Sequence, residues 1–308
     1  MNLELNEMNA VVRGKKEEEF IADFEKKFDN SIAEIAQKAC AKKSGKFVIA
    51  ITGPSSSGKT TFSGKLAGEF SKLGMISEIV SLDNFYLNAD QIPINESGEP
   101  DLESVYALDL EEIKRFFEEL FLCRKSKMPI FDFQKRGRSR KQIPIKFGEG
   151  TVVIVEGIHG LNEEVTKFIP QDNLYQIYIS VKKGFCLQGK ELFDKRQVRL
   201  FRRLVRDFHY RGTAAKDTFN MWPSVIEGDI KNIKPFQKNA DVFLDTSFPY
   251  DLGVLKEELS IVLSGLLEDK KYERKVKSIL ERFENVEAIS PAVVPETSIL
   301  REFIGKKN

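Results

Sequence analysis

Two apolar patterns alternate along most of this chain. Runs such as 46–52 (KFVIAIT) and 150–156 (GTVVIVE) are apolar almost throughout, as strands covered on both faces are. Further strands are predicted at 77–82 (SEIVSL), 174–180 (LYQIYIS) and 241–245 (DVFLD). Helix candidates lie between them at 59–73, 109–122, 192–210 and 251–267. Strands alternating with helices predict an α/β fold, a parallel sheet with crossover helices on its faces.

Upstream, Phe20, Ile21, Phe24, Phe28, Ile32, Ile35 and Ala36 recur at spacings of three and four within 15–43. That spacing predicts an amphipathic helix, with a break near Asp29-Asn30-Ser31 where a new cap can start. Residues 1–13 are expected to be loosely ordered. Segments 84–106 and 124–149, rich in turn formers and charge, read as long loops, which in compact domains tend to be functional. Trp222 before Pro223 marks an expected helix end. Two tail helices are expected, at 271–286 and 297–304, separated by Pro291 and Pro295. In TSILREFIG (297–305), Thr297 or Ser298 is a cap, and Ile299, Leu300, Phe303 and Ile304 should be buried. The expected division is an N-terminal helical extension over 1–45 and one domain over 46–308. Within that domain a helical lid spans about 192–213, and C-terminal helices span 251–306.

Composition narrows the function classes. The chain has 308 residues, 48 Lys+Arg against 47 Asp+Glu, so net charge gives no sign of nucleic acid or membrane as partner. Cys40, Cys123 and Cys186 are far apart and the histidines number 2, which predicts neither a disulfide framework nor a His-rich metal site. No apolar run reaches membrane-spanning length and the N-terminus lacks a signal-peptide core, so a cytoplasmic protein is expected.

GPSSSGKT (53–60) fits G-x-x-x-x-G-K-[ST] between a strand and a helix. Its glycines permit backbone angles that turn N–H groups onto phosphate oxygens, and the following helix aims its positive end at the same anion. Gly53, Ser55, Ser56, Ser57, Gly58 and Thr61 belong to this cradle. Lys59 is the charge for the terminal phosphates, and Thr60 offers a hydroxyl to Mg²⁺. A plain Gly/Ser linker explains neither the lysine nor the flanking elements.

Two carboxylates follow strand ends. Asp83, in SLDNFY (81–86), can accept a proton from a substrate hydroxyl or bind Mg²⁺, or simply cap the loop. Glu156 ends VVIVE at the usual place of the second P-loop carboxylate. Phe85 and Tyr86 leave the same crevice. In 196–210 (RQVRLFRRLVRDFHY), Arg199, Arg202, Arg203 and Arg206 fall within one sector of about 100°. Phe201, Leu204, Val205 and Phe208 take the other side. The basic face is expected to clamp phosphate, and a helix closing over the site would exclude water. FDFQKRGR (131–138) combines aromatics able to sandwich a base with a basic run.

Together GPSSSGKTT, DNFY, FDF, IVEGIHGLN and RLFRRLVRDFHYRG resemble, in order, the uridine kinase and phosphoribulokinase family of P-loop kinases. The likeness is greatest to a uridine-kinase-like branch that often carries N-terminal domains related to threonyl-tRNA synthetase. Residues 222–256 and the tail TSILREFIG are similar to that branch too. Only residues 1–45 precede the kinase region, so those extra domains are expected to be absent or removed.

The resemblance implies an ATP- or GTP-dependent kinase acting on the 5′-hydroxyl of uridine or cytidine with Mg²⁺. It implies Asp83 as the base, assisted by Lys59 and Arg206, and Thr60, Glu156 and Asp83 as Mg²⁺ partners. It implies Phe131 stacking on the pyrimidine beside Tyr86 and Phe133, Glu103 holding the ribose diol, and Arg203 on the substrate side. Arg206 and Arg211 then hold ATP phosphates, and a homo-oligomer is possible. Gln134, Lys135 and Arg136 stand where pyrimidine-specific members have a base-reading histidine, and Met221 stands near an expected polar ribose ligand. Two rivals follow: a kinase of another alcohol (a purine nucleoside or a sugar phosphate), or a nucleotide-binding regulatory module with little turnover.

Overall fold

The computed structural model describes residues 2–43, 45–95, 98–132 and 137–305. The chain opens with β1 (Leu3–Glu4), α1 (Leu5–Arg13) and α2 (Glu17–Lys42), then β2 (Phe47–Thr52), α3 (Lys59–Lys72) and β3 (Ile76–Ser81). It continues with α4 (Leu110–Cys123), β4 (Lys125–Asp132), β5 (Gly137–Lys146), β6 (Thr151–Glu156), α5 (Glu163–Thr166) and β7 (Leu174–Ser180). The last part holds β8 (Phe185–Leu187), β9 (Lys190–Phe193), α6 (Lys195–Tyr210), α7 (Ala215–Gly228), β10 (Val242–Asp245), α8 (Asp251–Ser264), α9 (Glu273–Phe283) and α10 (Arg301–Ile304).

Five strands form one parallel sheet in the order β10-β7-β2-β6-β3. This is the α/β sheet with covering helices that the alternation predicts. Every residue of β2, β6 and β7 is buried, which explains their near-continuous apolar runs. The chain leaves β2 towards β3 and β6 on one side and returns to β7 on the other. β2 therefore lies at the switch point, where a crevice opens beyond the C-terminal strand ends.

Several expectations are corrected. α2 runs unbroken through Asp29-Asn30-Ser31, because Phe28, Ile32 and Ile35 keep one buried stripe across them. Residues 3–13 are ordered. β1 pairs with β8, α1 buries Leu5 and Met8, and Asn9 exchanges hydrogen bonds with the backbone of Asn285 and Glu287. Segment 124–149 is largely the antiparallel β4–β5 hairpin rather than a loop. Pro223 lies inside α7 instead of ending a helix, and the turn widens to a π-helix over Asp229–Ile233. Residues 190–193 are strand, so the helix expected from 192 starts at 195. Of the two expected tail helices, the first is α9, and the second is an α-helix only over Arg301–Ile304.

The N-terminal helices share their core with the parallel sheet. Ile21, Phe28 and Ile35 of α2 pack in one cluster with Phe62 and Leu66 of α3 and Ile49 of β2. Tyr250, fully buried, donates its hydroxyl proton to Glu25 at 2.7 Å.

Candidate active site

The loop after β2 is held in a shape that only certain residues allow. A Cβ at Gly53 would lie 2.1 Å from the carbonyl oxygen of Ile179. Ser56 and Gly58 have φ values of 61° and 86°, and Gly58 stands directly before α3 with no side chain capping its first turn. Uncapped N–H groups and the helix dipole then face one point. The hydroxyls of Ser56 and Ser57 are buried there without a hydrogen-bond partner. Lys59 folds back to donate to the carbonyls of Gly53 (2.9 Å) and Pro54 (3.3 Å). Donors without acceptors, around a lysine resting on backbone oxygens, fit a phosphate group.

Asp83 lies two residues past β3, in the turn Leu82–Phe85, and Glu156 closes β6 in register with Ser81 and Ile51. Register thus brings both to the strand ends that flank the loop. Burial, and then the charge of Asp83, push the Glu156 carboxyl up to about 7, against the hydroxyl of Ser81 and the charge of Lys59. Burial pulls the Lys59 ammonium below its usual value, while Glu156, Glu302, Asp83 and Asp229 pull it back up. The charges of four carboxylates act on this one lysine, which marks it as the electrostatic centre of the crevice.

Among the described residues no three His, Cys, Asp or Glu side chains gather as a self-sufficient metal site. Thr60, at the start of α3, and the carboxylates of Asp83 and Glu156 would offer a metal ion oxygen donors only. That set fits Mg²⁺, which keeps several waters and takes its other oxygens from phosphates.

The arginine face of α6 is divided between two tasks. Arg199 donates to the Ser55 carbonyl (2.8 Å) and pairs with Asp229 (2.6 Å). Arg202, with no exposed surface, forks onto Asp251 and also donates to the carbonyls of Thr246 (2.8 Å) and Ser56 (3.4 Å). These two guanidiniums brace the loop from behind. The expectation that all four present to an anion is corrected for them: carboxylates of the chain itself neutralise both. Arg203 donates to the Ser55 hydroxyl (2.8 Å) and to Asp207 (3.1 Å), Arg206 donates to Asp207 (2.8 Å), and Arg211 lies 3.7 Å from it. The buried Asp207 thus gathers three cations. Phe208, expected on the packing side, is exposed.

Opposite stand the candidate acceptor residues. Glu103 is raised to about 7 by burial first and by the charge of Asp229 next, with Arg203 and Lys59 opposing. Its backbone carbonyl accepts from Asn232 (2.7 Å), and a Cβ on Gly228 would lie 2.5 Å from its own Cβ, so α7 fixes it in place. The Tyr86 hydroxyl donates to the Leu102 carbonyl (2.9 Å), and its ring meets Phe131 at 5.9 Å. Asn84 accepts from the Phe131 backbone N–H (3.1 Å), tying the Asp83 turn to β4. Phe133 and Gln134, Lys135 and Arg136 lie outside the described residues.

Sequence reasoning missed Asp207, Asp229 and His159. Asp207 had a signal: it stands four residues from both Arg203 and Arg211, the spacing of helical ion pairs. Asp229 had none, since its partner Arg199 is 30 residues away. Trp222, unassigned from sequence, lies against the Arg199 guanidinium at 5.5 Å. His159 follows Glu156 by three residues and is buried with both ring nitrogens unpartnered. Burial lowers it to about 4, so the ring is neutral.

A parallel sheet with a glycine–serine anion loop at its switch point, a lysine in the loop and carboxylates on the flanking strand ends defines a P-loop phosphotransferase. Residues 48–248 match the model of the phosphoribulokinase / uridine kinase family, and the chain belongs to that family. It is a phosphotransferase with an alcohol group as acceptor.

A uridine kinase of Ureaplasma parvum serovar 3 is 25% identical over 196 residues, 63% of this chain and 86% of its own. A uridine kinase of Clostridium tetani is 26% identical over 198 residues, 64% and 85% of the two chains. Uridine-cytidine kinase C of Dictyostelium discoideum is 27% identical over 219 residues, 68% of this chain and 42% of its own. A solved structure described as a possible uridine kinase from Bacillus stearothermophilus superposes with a TM-score of 0.48 at 16% identity, covering 70% of this chain and 98% of that one. No helix among the described residues is long and apolar enough to cross a membrane.

Proposed function

We propose that this protein is a nucleoside kinase that transfers the γ-phosphoryl group of ATP or GTP to the 5′-hydroxyl of uridine or cytidine. The observation that supports the reading is that Glu156 at the end of β6 and Asp83 in the turn after the paired strand β3 flank the anion loop and both act electrostatically on Lys59, as Arg203 and Lys59 do on Glu103. The names of the similar kinases support the choice of acceptor.

The loop N–H groups and the hydroxyls of Ser56 and Ser57 bind the phosphate chain. Asp83 accepts the proton of the attacking hydroxyl as the new O–P bond forms and the bond to the nucleoside diphosphate breaks. Lys59, Arg206 and Arg211 neutralise charge on the transferring group, and Arg203 lies towards the acceptor. The hydroxyl of Thr60 with Asp83 and Glu156 would hold Mg²⁺, which supplies further charge neutralisation on the phosphates. Glu103 accepts hydrogen bonds from the ribose diol, and the rings of Tyr86 and Phe131 offer a flat apolar surface to the base. Catalysis here is positioning and electrostatics, as in phosphoryl transfer generally.

A panel of nucleosides, sugars and sugar phosphates, assayed for ADP or GDP release with the product's phosphate position determined, tests the reading. Uridine or cytidine giving the 5′-monophosphate is the expected result. A purine nucleoside or a sugar as the sole acceptor would replace the acceptor, and no release with any of them would leave only nucleotide binding.

A further inference from the structure

The segment 297–305 is far from the anion loop in sequence and against it in space. Ile299, Leu300 and Phe303 have no exposed surface. Arg301 ties the segment down, donating to the carbonyls of Pro291 (2.8 Å), Pro295 (3.3 Å), Gly305 (3.2 Å) and Val294. Ile299 closes on the loop so tightly that a Cβ on Gly58 would lie 2.3 Å from its Cγ2 methyl. Phe303 lies under the Arg202 guanidinium at 5.2 Å. At the far end, a Cβ on Gly305 would lie 1.9 Å from the Tyr210 hydroxyl, at the end of α6.

This packing fixes one carboxylate beside the cradle. Glu302 accepts a hydrogen bond from the Thr61 hydroxyl at 3.4 Å and lies 3.9 Å from Arg206. Its charge is felt by both Lys59 and Glu156. An ionised carboxylate offers about four acceptor sites and no donor. A phosphate oxygen is likewise an acceptor, so the two repel and cannot bond to each other. The loop and Lys59 engage the phosphates, and Thr61 lies two residues beyond Lys59 on α3. Next along a nucleoside triphosphate after its α-phosphate comes the ribose, whose hydroxyls are donors.

We propose that Glu302 is a donor-site residue that accepts hydrogen bonds from the ribose hydroxyls of the nucleoside triphosphate, and that segment 297–305 is a wall of the donor site. The inference rests on the donor reading of the cradle. It makes the tail part of the selection of ribonucleotides as phosphate donors.

Calorimetric titration of the full-length protein with Mg-ATP, Mg-GTP and their 2′-deoxy forms tests it, in wild type, Glu302→Gln, Glu302→Ala and Lys59→Met. Wild type should bind the ribonucleotide more tightly than its deoxy form. Glu302→Ala should weaken ribonucleotide binding by roughly 10- to 100-fold, the loss expected for a hydrogen bond to a charged group. In that variant the deoxy penalty should vanish and the acceptor KM should stay unchanged. Glu302→Gln keeps the shape and should fall between. An equal deoxy penalty in wild type and variants, no penalty in any, or tighter ATP binding by Glu302→Gln would overturn the proposal; the last would make Glu302 a competitor of phosphate. Lys59→Met binding as tightly as wild type would overturn the donor reading itself, and this inference with it. Weakened Lys59→Met beside unaltered Glu302→Ala would remove Glu302 alone.

Discussion

Arg202 and Asp251 form a doubly hydrogen-bonded ion pair in which neither side chain has exposed surface. The pair joins α6 to the start of α8, and the same guanidinium reaches the carbonyl of Ser56 in the anion loop. Removing one partner leaves an uncompensated buried charge. Arg202→Met should therefore destabilise the protein by roughly 3–5 kcal/mol. The double variant Arg202→Met/Asp251→Leu should recover much of that loss. Denaturant titration of the three proteins measures it, and equal stability of Arg202→Met and wild type would show that the pair contributes nothing.

That pair also shows what a sequence leaves unread. Helical spacing puts Arg202 on the same face as Arg199, Arg203 and Arg206, yet says nothing of Asp251, 49 residues on. Whether a basic face meets phosphate or carboxylate depends on the neighbouring element, not on its own period. The anion loop was legible because its glycines, lysine and flanking strand and helix lie within one short stretch. The β4–β5 hairpin was not. In KSKMPIFD and GRSRKQIPIK, charge and proline outweigh a weak alternation, and much of β5 is exposed on both faces. α7 was missed because Pro223 reads as a breaker; here it is accommodated mid-helix with Phe219 and Trp222 buried on one side.

Asp83 offers the most direct check of the chemistry. The proposed role of Asp83 as base for the acceptor hydroxyl rests on its charge acting on both Lys59 and Glu156. Asp83→Asn preserves shape but cannot take the proton. Turnover should fall by about 10²–10⁴-fold, the usual contribution of general-base catalysis, while nucleotide binding persists. Single-turnover kinetics beside calorimetric binding separates the two, and near-normal turnover would take the role from Asp83.

Glu103 should make acceptor binding depend on pH. Burial first, and then the charges of Asp229 and Asp101, raise it to about 7, while Arg203 and Lys59 pull the other way. Above that value it is an ionised acceptor for two hydroxyls; below it, a proton occupies one oxygen. The acceptor KM should therefore fall as pH rises from 6 to 8, and Glu103→Gln should flatten that profile. Stability runs oppositely. The folded pKa is raised from the ordinary 4.5, so between 4.5 and about 7 the folded state holds a proton that the unfolded chain has lost. This group's contribution is intact below 4.5 and disappears as pH climbs to about 7. An acceptor KM constant from pH 6 to 8 in wild type would show that Glu103 does not face the diol.

His159 is a cost that the fold carries. The ring is 1% exposed, and neither nitrogen has a hydrogen-bond partner. Burial outweighs the Ser104 backbone, which favours the protonated ring. A buried polar group left unsatisfied costs about 1–3 kcal/mol, so His159→Leu, of similar size and without polar atoms, should be the more stable protein. Titration adds a second signature. The folded pKa is lowered from 6.5 to about 4. As pH falls through that window, the unfolded chain takes up a proton that the folded protein refuses. The contribution is whole above 6.5 and is lost on acidification, by about 2 kcal/mol at pH 5. Thermal melts at pH 7 and pH 5 should show the variant melting higher at both, with the larger margin at pH 5. A variant that melts lower at pH 7 would mean that the ring has a partner in the folded protein.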